Sequence, residues 1–124
     1  LHTSPLNAPD TDTFAGTQVP GTVLLDAPLT QQGQPTWLLR ALGPDFTLLV
    51  FGPAPGWTRD LPDVKVLQIG IDVLDARALA AQRLDALPGT AYLVRPDQHV
   101  CARWRAPTEA AVRAALARAT AAAL

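Results

Sequence analysis

The hexapeptide Phe46-Thr47-Leu48-Leu49-Val50-Phe51 is almost unbrokenly apolar and is closed at once by Gly52-Pro53-Ala54-Pro55-Gly56. A run that short between breakers reads as a strand buried on both faces, so the chain must supply a covering layer on each side of it. Val64-Lys65-Val66-Leu67-Gln68-Ile69, ended by Gly70, reads as a second such strand. Unless the two form a simple hairpin, their crossover lies in residues 52–63. Pro53, Pro55 and Pro62 leave room there for a single helical turn and no long helix.

The other segments must build the covering layers. Val23-Leu24-Leu25, ended by Asp26-Ala27-Pro28, is consistent with a brief strand. Residues 36–42, stopped by Gly43-Pro44, read as one or two helical turns. Residues 75–87 read as a helix with Leu79, Leu84 and Leu87 near one face, Asp75 as N-cap and Pro88-Gly89 as stop. Residues 91–95 and 99–104 flank the turn Pro96-Asp97-Gln98 as a hairpin. Residues 108–124 read as a closing helix capped by Thr108 or Ala106, with Pro107 in its first turn. Its packing face is Val112, Ala115, Leu116, Ala119 and Ala123, and Glu109 with Arg113 makes an i,i+4 pair. Residues 1–20 hold Pro5, Pro9, Pro20, Asp10, Asp12 and four Thr, the composition of an extended arm or linker, with Phe14 placed to pin it down. Residues 21–124 are then the domain. The order β-α-β-β-α-β-β-α describes an α/β, thioredoxin-like three-layer sandwich with a mixed sheet, a C-terminal β-hairpin and a closing helix.

Composition removes several function classes. At 124 residues the chain has room for one domain, large enough to bury a core without staples. Ten Lys plus Arg against 11 Asp plus Glu exclude the basic face of a nucleic-acid binder. No apolar run approaches the ~20 residues of a membrane span. One cysteine, Cys101, and two histidines, His2 and His99, do not make a zinc site. The chain contains no Met and begins at Leu1, so it is expected to be a processed chain or an excised piece.

Few residues offer chemistry. A working thioredoxin carries Cys-x-x-Cys after its central strand, where a helix N-terminus lowers the thiol pKa. Here Gly52-Pro53-Ala54-Pro55-Gly56-Trp57 follows that strand, and Thr90 stands where thioredoxins carry a cis-proline. No Gly-x-Gly-x-x-Gly fingerprint occurs. Cys101, with His99 two residues away on the same side of a strand, has the spacing of a Cys–His nucleophile pair, or is a small apolar residue under the closing helix. Of Trp37, Trp57 and Trp104, Trp57 lies in a Pro/Gly loop and is the expected interface anchor, with Phe14 beside it as a second candidate. Arg95, Asp97 and Arg103 read as a turn-side charge cluster in which Asp97 accepts from backbone amides. The carboxylate pairs Asp72/Asp75 and Asp60/Asp63 fall at loop and helix-entry positions, where Asp caps amides.

One stretch goes further. Residues 90–104, Thr-Ala-Tyr-Leu-Val-Arg-Pro-Asp-Gln-His-Val-Cys-Ala-Arg-Trp, contain Leu93-Val94-Arg95-Pro96-Asp97. This resembles the Leu-Val-Arg-Pro-Asp-Gly-His-Val-Ala-Trp-Arg segment near the C-terminus of FAD-dependent aromatic-ring hydroxylases of the phenol hydroxylase and 3-(3-hydroxyphenyl)propionate hydroxylase type. Leu48–Phe51 and the helix that ends at Leu87 fall where that family places them, and the similarity spans roughly residues 14–119. Gln98 departs from the family's turn Gly, and Gly16-Thr17-Gln18-Val19-Pro20 only loosely matches its Gly-x-Arg-x-Pro entry. The resemblance implies a thioredoxin-like terminal domain with structural and subunit-contact roles. It also implies a parent monooxygenase that uses FAD and NAD(P)H on a phenolic substrate, in the cytoplasm. The expected partners are the parent's catalytic domains and a second copy in a homodimer, with no cofactor held by this chain and no catalysis in isolation. The rivals are a stand-alone binding module and a thiol oxidoreductase using Cys101.

Overall fold

Leu49 lies opposite Leu67 on one side and Tyr92 on the other, which makes the Phe46–Phe51 run an interior strand. The computed structural model describes residues 6–122. Its elements are β1 (Pro28–Gln31), β2 (Gln34–Trp37), α1 (Leu38–Ala41), β3 (Phe46–Phe51), a 3-10 turn (Gly56–Asp60), β4 (Val64–Ile69), α2 (Leu79–Arg83), β5 (Ala91–Val94), β6 (Val100–Trp104) and α3 (Glu109–Ala122). The main sheet has the order β4-β3-β5-β6, with β3 and β4 parallel and the other pairings antiparallel. The crossover between β3 and β4 is that single 3-10 turn. The result is the mixed α/β sandwich expected, with its C-terminal hairpin and closing helix.

Alternation along the strands divides the core in two. Leu49, Phe51, Leu67, Ile69, Tyr92 and Val94 meet Leu38 and Ala41 of α1, Ala80 of α2 and Leu84 just beyond it on one side. Leu48, Val50, Leu93, Ala102 and Trp104 meet Val112, Ala115 and Ala119 of α3 on the other. Thr108 caps α3, its hydroxyl accepting from the Ala111 amide at 3.2 Å, and Arg113 reaches Glu109 at 3.0 Å. Pro107 therefore precedes the cap and does not enter the first turn. Ala123, assigned to the packing face, lies outside the described residues.

Three local expectations are corrected. Val23-Leu24-Leu25 is not a strand: Val23 makes an isolated bridge to His99, and only Leu24 of the three is buried. The first strands are instead β1 and β2, an antiparallel hairpin that takes residues 36 and 37 from the expected helix. The helix over 75–87 shrinks to five residues because Ala78 (φ 55°) and Asp85 (φ 49°) leave helical geometry on either side of it. Asp75 still caps it from a distance, its carboxylate accepting from the Ala80 and Ala81 amides at 3.1 and 2.9 Å. Leu87 is left 59% exposed.

The β5–β6 turn closes through Gln98, whose φ of 67° is left-handed. Its amide donates to the Arg95 carbonyl and its carbonyl accepts from Leu24, so only the side chain is out of place there. Gln98→Gly keeps both bonds and removes the Cβ conflict, and is expected to raise stability by up to about 1 kcal/mol in a denaturant titration. An unchanged or lower midpoint contradicts this.

Candidate interaction surface

The Leu93–Asp97 stretch folds into a clamp. Arg95 donates to both carboxylate oxygens of Asp97 at 3.1 and 2.8 Å, the bidentate geometry that suits a guanidinium. The same guanidinium donates to Asn7 at 3.2 Å, and the His99 amide donates to Asp97 at 3.3 Å. The hydrogen bond from Arg95, with help from His99, holds the Asp97 carboxyl below the usual carboxylate range. Leu93 and Val94 are fully buried on opposite faces of the sheet. The motif thus ties the turn to itself and to the start of the described chain.

Arg103 does not join that cluster. On β6 it faces Tyr92, at the opposite end of the hairpin from the turn, because it pairs with Tyr92 in register. It is 3% exposed and bidentate with Asp10, at 2.7 to 3.2 Å. Tyr92 donates to the Leu84 carbonyl, and burial pushes its phenol pKa up. Phe14 sits between two guanidinium groups, Arg103 at 4.3 Å and Arg105 at 3.9 Å from its ring centre, and meets Tyr92 edge-on at 5.9 Å. Arg105 in turn binds Asp85 at 2.7 Å, while its amide donates to Asp12. The Ala15 amide and then Arg105 hold the Asp85 carboxyl below its ordinary pKa.

Residues 6–24 accordingly follow β6. The Ala8 amide donates to the Cys101 carbonyl, and the Gly21 amide to that of Val100. Phe14, expected at an interface, makes these contacts within the chain. Trp57 lies on the 3-10 turn, half-buried against the α3 side of the core. Trp104 is buried and Trp37 is 48% exposed. Asp72 accepts from the Gln68 amide at 2.8 Å, the amide-capping use expected of it. What sequence reasoning missed is the guanidinium sandwich on Phe14: Asp10 and Arg103 are 93 residues apart, beyond any local pattern.

The structure does not pair Cys101 with His99. Cys101 lies at a bulge where the register shifts between Leu93 and Val94, so spacing no longer sets the two side chains on one face. His99 is in the turn, its Nδ1 3.1 Å from the Asp97 carbonyl. The thiol is fully buried in the α3-side core, and burial pushes its pKa up to about 12. Native Cys101 should react with an alkylating reagent at pH 8 only as fast as the domain opens, and at once in denaturant. Rapid labelling of the folded chain contradicts that burial.

The loop after β3 offers no row of free amides to a flavin pyrophosphate. After β3, Pro53 and Pro55 have no amide hydrogen, the Ala54 amide donates to Gln68 Oε1 at 2.8 Å, and a short 3-10 turn follows in place of a helix. No group of metal-binding side chains occurs among the described residues.

The chain belongs to the aromatic-ring hydroxylase C-terminal family, whose model matches residues 17–123. The flavin-dependent monooxygenase PieE, solved with FAD and substrate, is similar over 94% of this chain at 26% identity and a TM-score of 0.77. Aklavinone-11 hydroxylase, solved with FAD and aklavinone, shares the fold over 94% of this chain at 22% identity and a TM-score of 0.76. OxyS anhydrotetracycline hydroxylase from Streptomyces rimosus shares it over 86% at 23% identity and a TM-score of 0.54. This chain covers 24%, 25% and 22% of those three, so it spans about a quarter of their length. No curated protein matches it by sequence.

Proposed function

We propose that this chain is a non-catalytic C-terminal domain of a flavin-dependent aromatic hydroxylase, acting as a structural and subunit-contact element. The observation that carries this reading is the family match over residues 17–123 in a chain about a quarter as long as the similar FAD-bound hydroxylases. The parent is then a monooxygenase using FAD and NAD(P)H on a phenolic substrate in the cytoplasm. The descent of the scaffold from a thioredoxin-like fold belongs to the same proposal, supported by the sheet's one parallel and two antiparallel pairings. No helix among the described residues is long and apolar enough to cross a membrane.

The physical basis is a division of labour. Arg95, Arg103 and Arg105 hold the chain's own turn and arm, and its thiol is sealed in the core. A rigid domain of this kind contributes through the surfaces it presents to the catalytic domains and to a second copy of the parent. Titration of the 124-residue chain with FAD tests the reading, and no stoichiometric tight binding is expected. Tight binding would sink it, because the flavin would then belong to this domain.

A further inference from the structure

The outward face of the β1–β2 hairpin is largely apolar, and Pro35, Trp37 and Leu74 on it are left exposed by the described residues. Pro28 lies opposite Trp37, and Thr30 lies between Pro35 on one side and Leu74 on the other. Directly opposed residues share a face, so these five side chains form one surface, while Leu29 points into the core. Trp37 is 48% and Leu74 49% exposed. A depression of about 200 Å³ is set into this surface, bordered by Pro28, Leu29, Thr30, Pro35, Ala76 and Arg77. An exposed Trp beside a depression with an Arg at its rim has the composition of a binding hot spot.

Charge indicates what covers it. Arg77 forms no ion pair among the described residues. The nearby carboxylates of Asp72 and Asp75 are turned to the amides of Gln68, Ala80 and Ala81. The platform therefore offers a cation and no acid. In a two-fold contact the same patch meets itself, which leaves Arg77 without a counter-ion. Pro35 in β2 also lacks the amide that extending this hairpin into a second copy would use. The fitting occupant is a different surface, apolar with a carboxylate at its edge. The similar solved hydroxylases are about four times as long as this chain, so a parent of that length has a large region outside it on which such a surface can lie.

We infer that the platform of Pro28, Pro35, Trp37 and Leu74 docks on the flavin-bearing region of the parent polypeptide, with Arg77 paired to a carboxylate there. The inference rests on the function proposed above. Cys101 is buried, so Trp37→Cys and Leu74→Cys variants each add an accessible thiol to this domain, and Ala110→Cys on the exposed side of α3 is the control. Maleimide labelling of these positions, read by peptide mass, is compared between the complete parent polypeptide and the 124-residue chain. Positions 37 and 74 should label roughly tenfold or more slowly in the parent, and position 110 at equal rates, because a docked surface opens only by local dissociation. Equal rates at 37 and 74 in a flavin-containing parent overturn the docking and leave the functional reading intact. A native polypeptide without a flavin region overturns both. Slowing in the 124-residue chain as its concentration rises, with a dimer by sedimentation, assigns the platform to a second copy and also overturns the docking.

Discussion

A chain that begins at Gly21 is expected to lose a large part of its stability. The composition of residues 1–20 is that of a linker, yet Asp10 is the counter-ion of Arg103, Asp12 accepts from the Arg105 amide and Phe14 fills the space between the two guanidinium groups. Without them Arg103, 3% exposed in the intact fold, is left without its partner beside Tyr92. Asp10 is partly exposed and its removal opens Arg103 to water, so losing this partner costs about 1–3 kcal/mol, less than for a fully buried pair. Losing the burial of an aromatic ring costs about 2 kcal/mol more. A domain of this size has about 5–15 kcal/mol in total, so the urea midpoint should fall steeply or the cooperative transition vanish. A truncated chain unfolding within about 1 kcal/mol of the intact one would show that these contacts contribute nothing, contrary to this account.

Asp10→Ala isolates the electrostatic part of that effect. It removes a carboxylate that binds Arg103 through three short contacts and leaves every apolar contact of Phe14 in place. The expected loss is about 1–3 kcal/mol, because Asp10 is partly exposed. The further change Arg103→Met, made on the Asp10→Ala background, should recover part of it, because the damage comes from an unpaired buried charge and not from the lost attraction alone. Chemical denaturation of the wild type, both single variants and the double variant gives the coupling directly. A double variant less stable than Asp10→Ala contradicts the account, because the guanidinium would then be stabilising even without its carboxylate.

The inner strands of the main sheet were legible because they are apolar on both faces, whereas the edge strand β4 is buried mainly at Leu67 and Ile69. Leu48, Leu49 and Val50, and Ala91 to Val94, are all buried, and continuous burial leaves a continuous apolar run. Helix α3 was legible for the complementary reason, a face of Val112, Ala115 and Ala119 at helical spacing behind a Thr cap. The β1–β2 hairpin was not, because Leu29 is its one buried apolar residue and Pro35 sits inside β2. Val23-Leu24-Leu25 looks more strand-like, but Val23 and Leu25 are exposed and the segment is held by the Gln18 side chain and the Gln98 carbonyl. The Leu-Val-Arg-Pro-Asp motif could be found by resemblance, whereas its task was visible only when Arg95 met Asp97 and Asn7. From sequence alone Arg103 reads with the turn residues Arg95 and Asp97, because one short strand separates it from them. The pleat and register place it beside Tyr92.

The most direct test of the central claim is the intact mass and visible absorbance of the native polypeptide that carries this sequence. The account predicts a chain about four times the length of this 13.1 kDa segment, ending in it and yellow with bound flavin. A colourless native chain of about 13 kDa would contradict it and leave the family match as a record of ancestry alone.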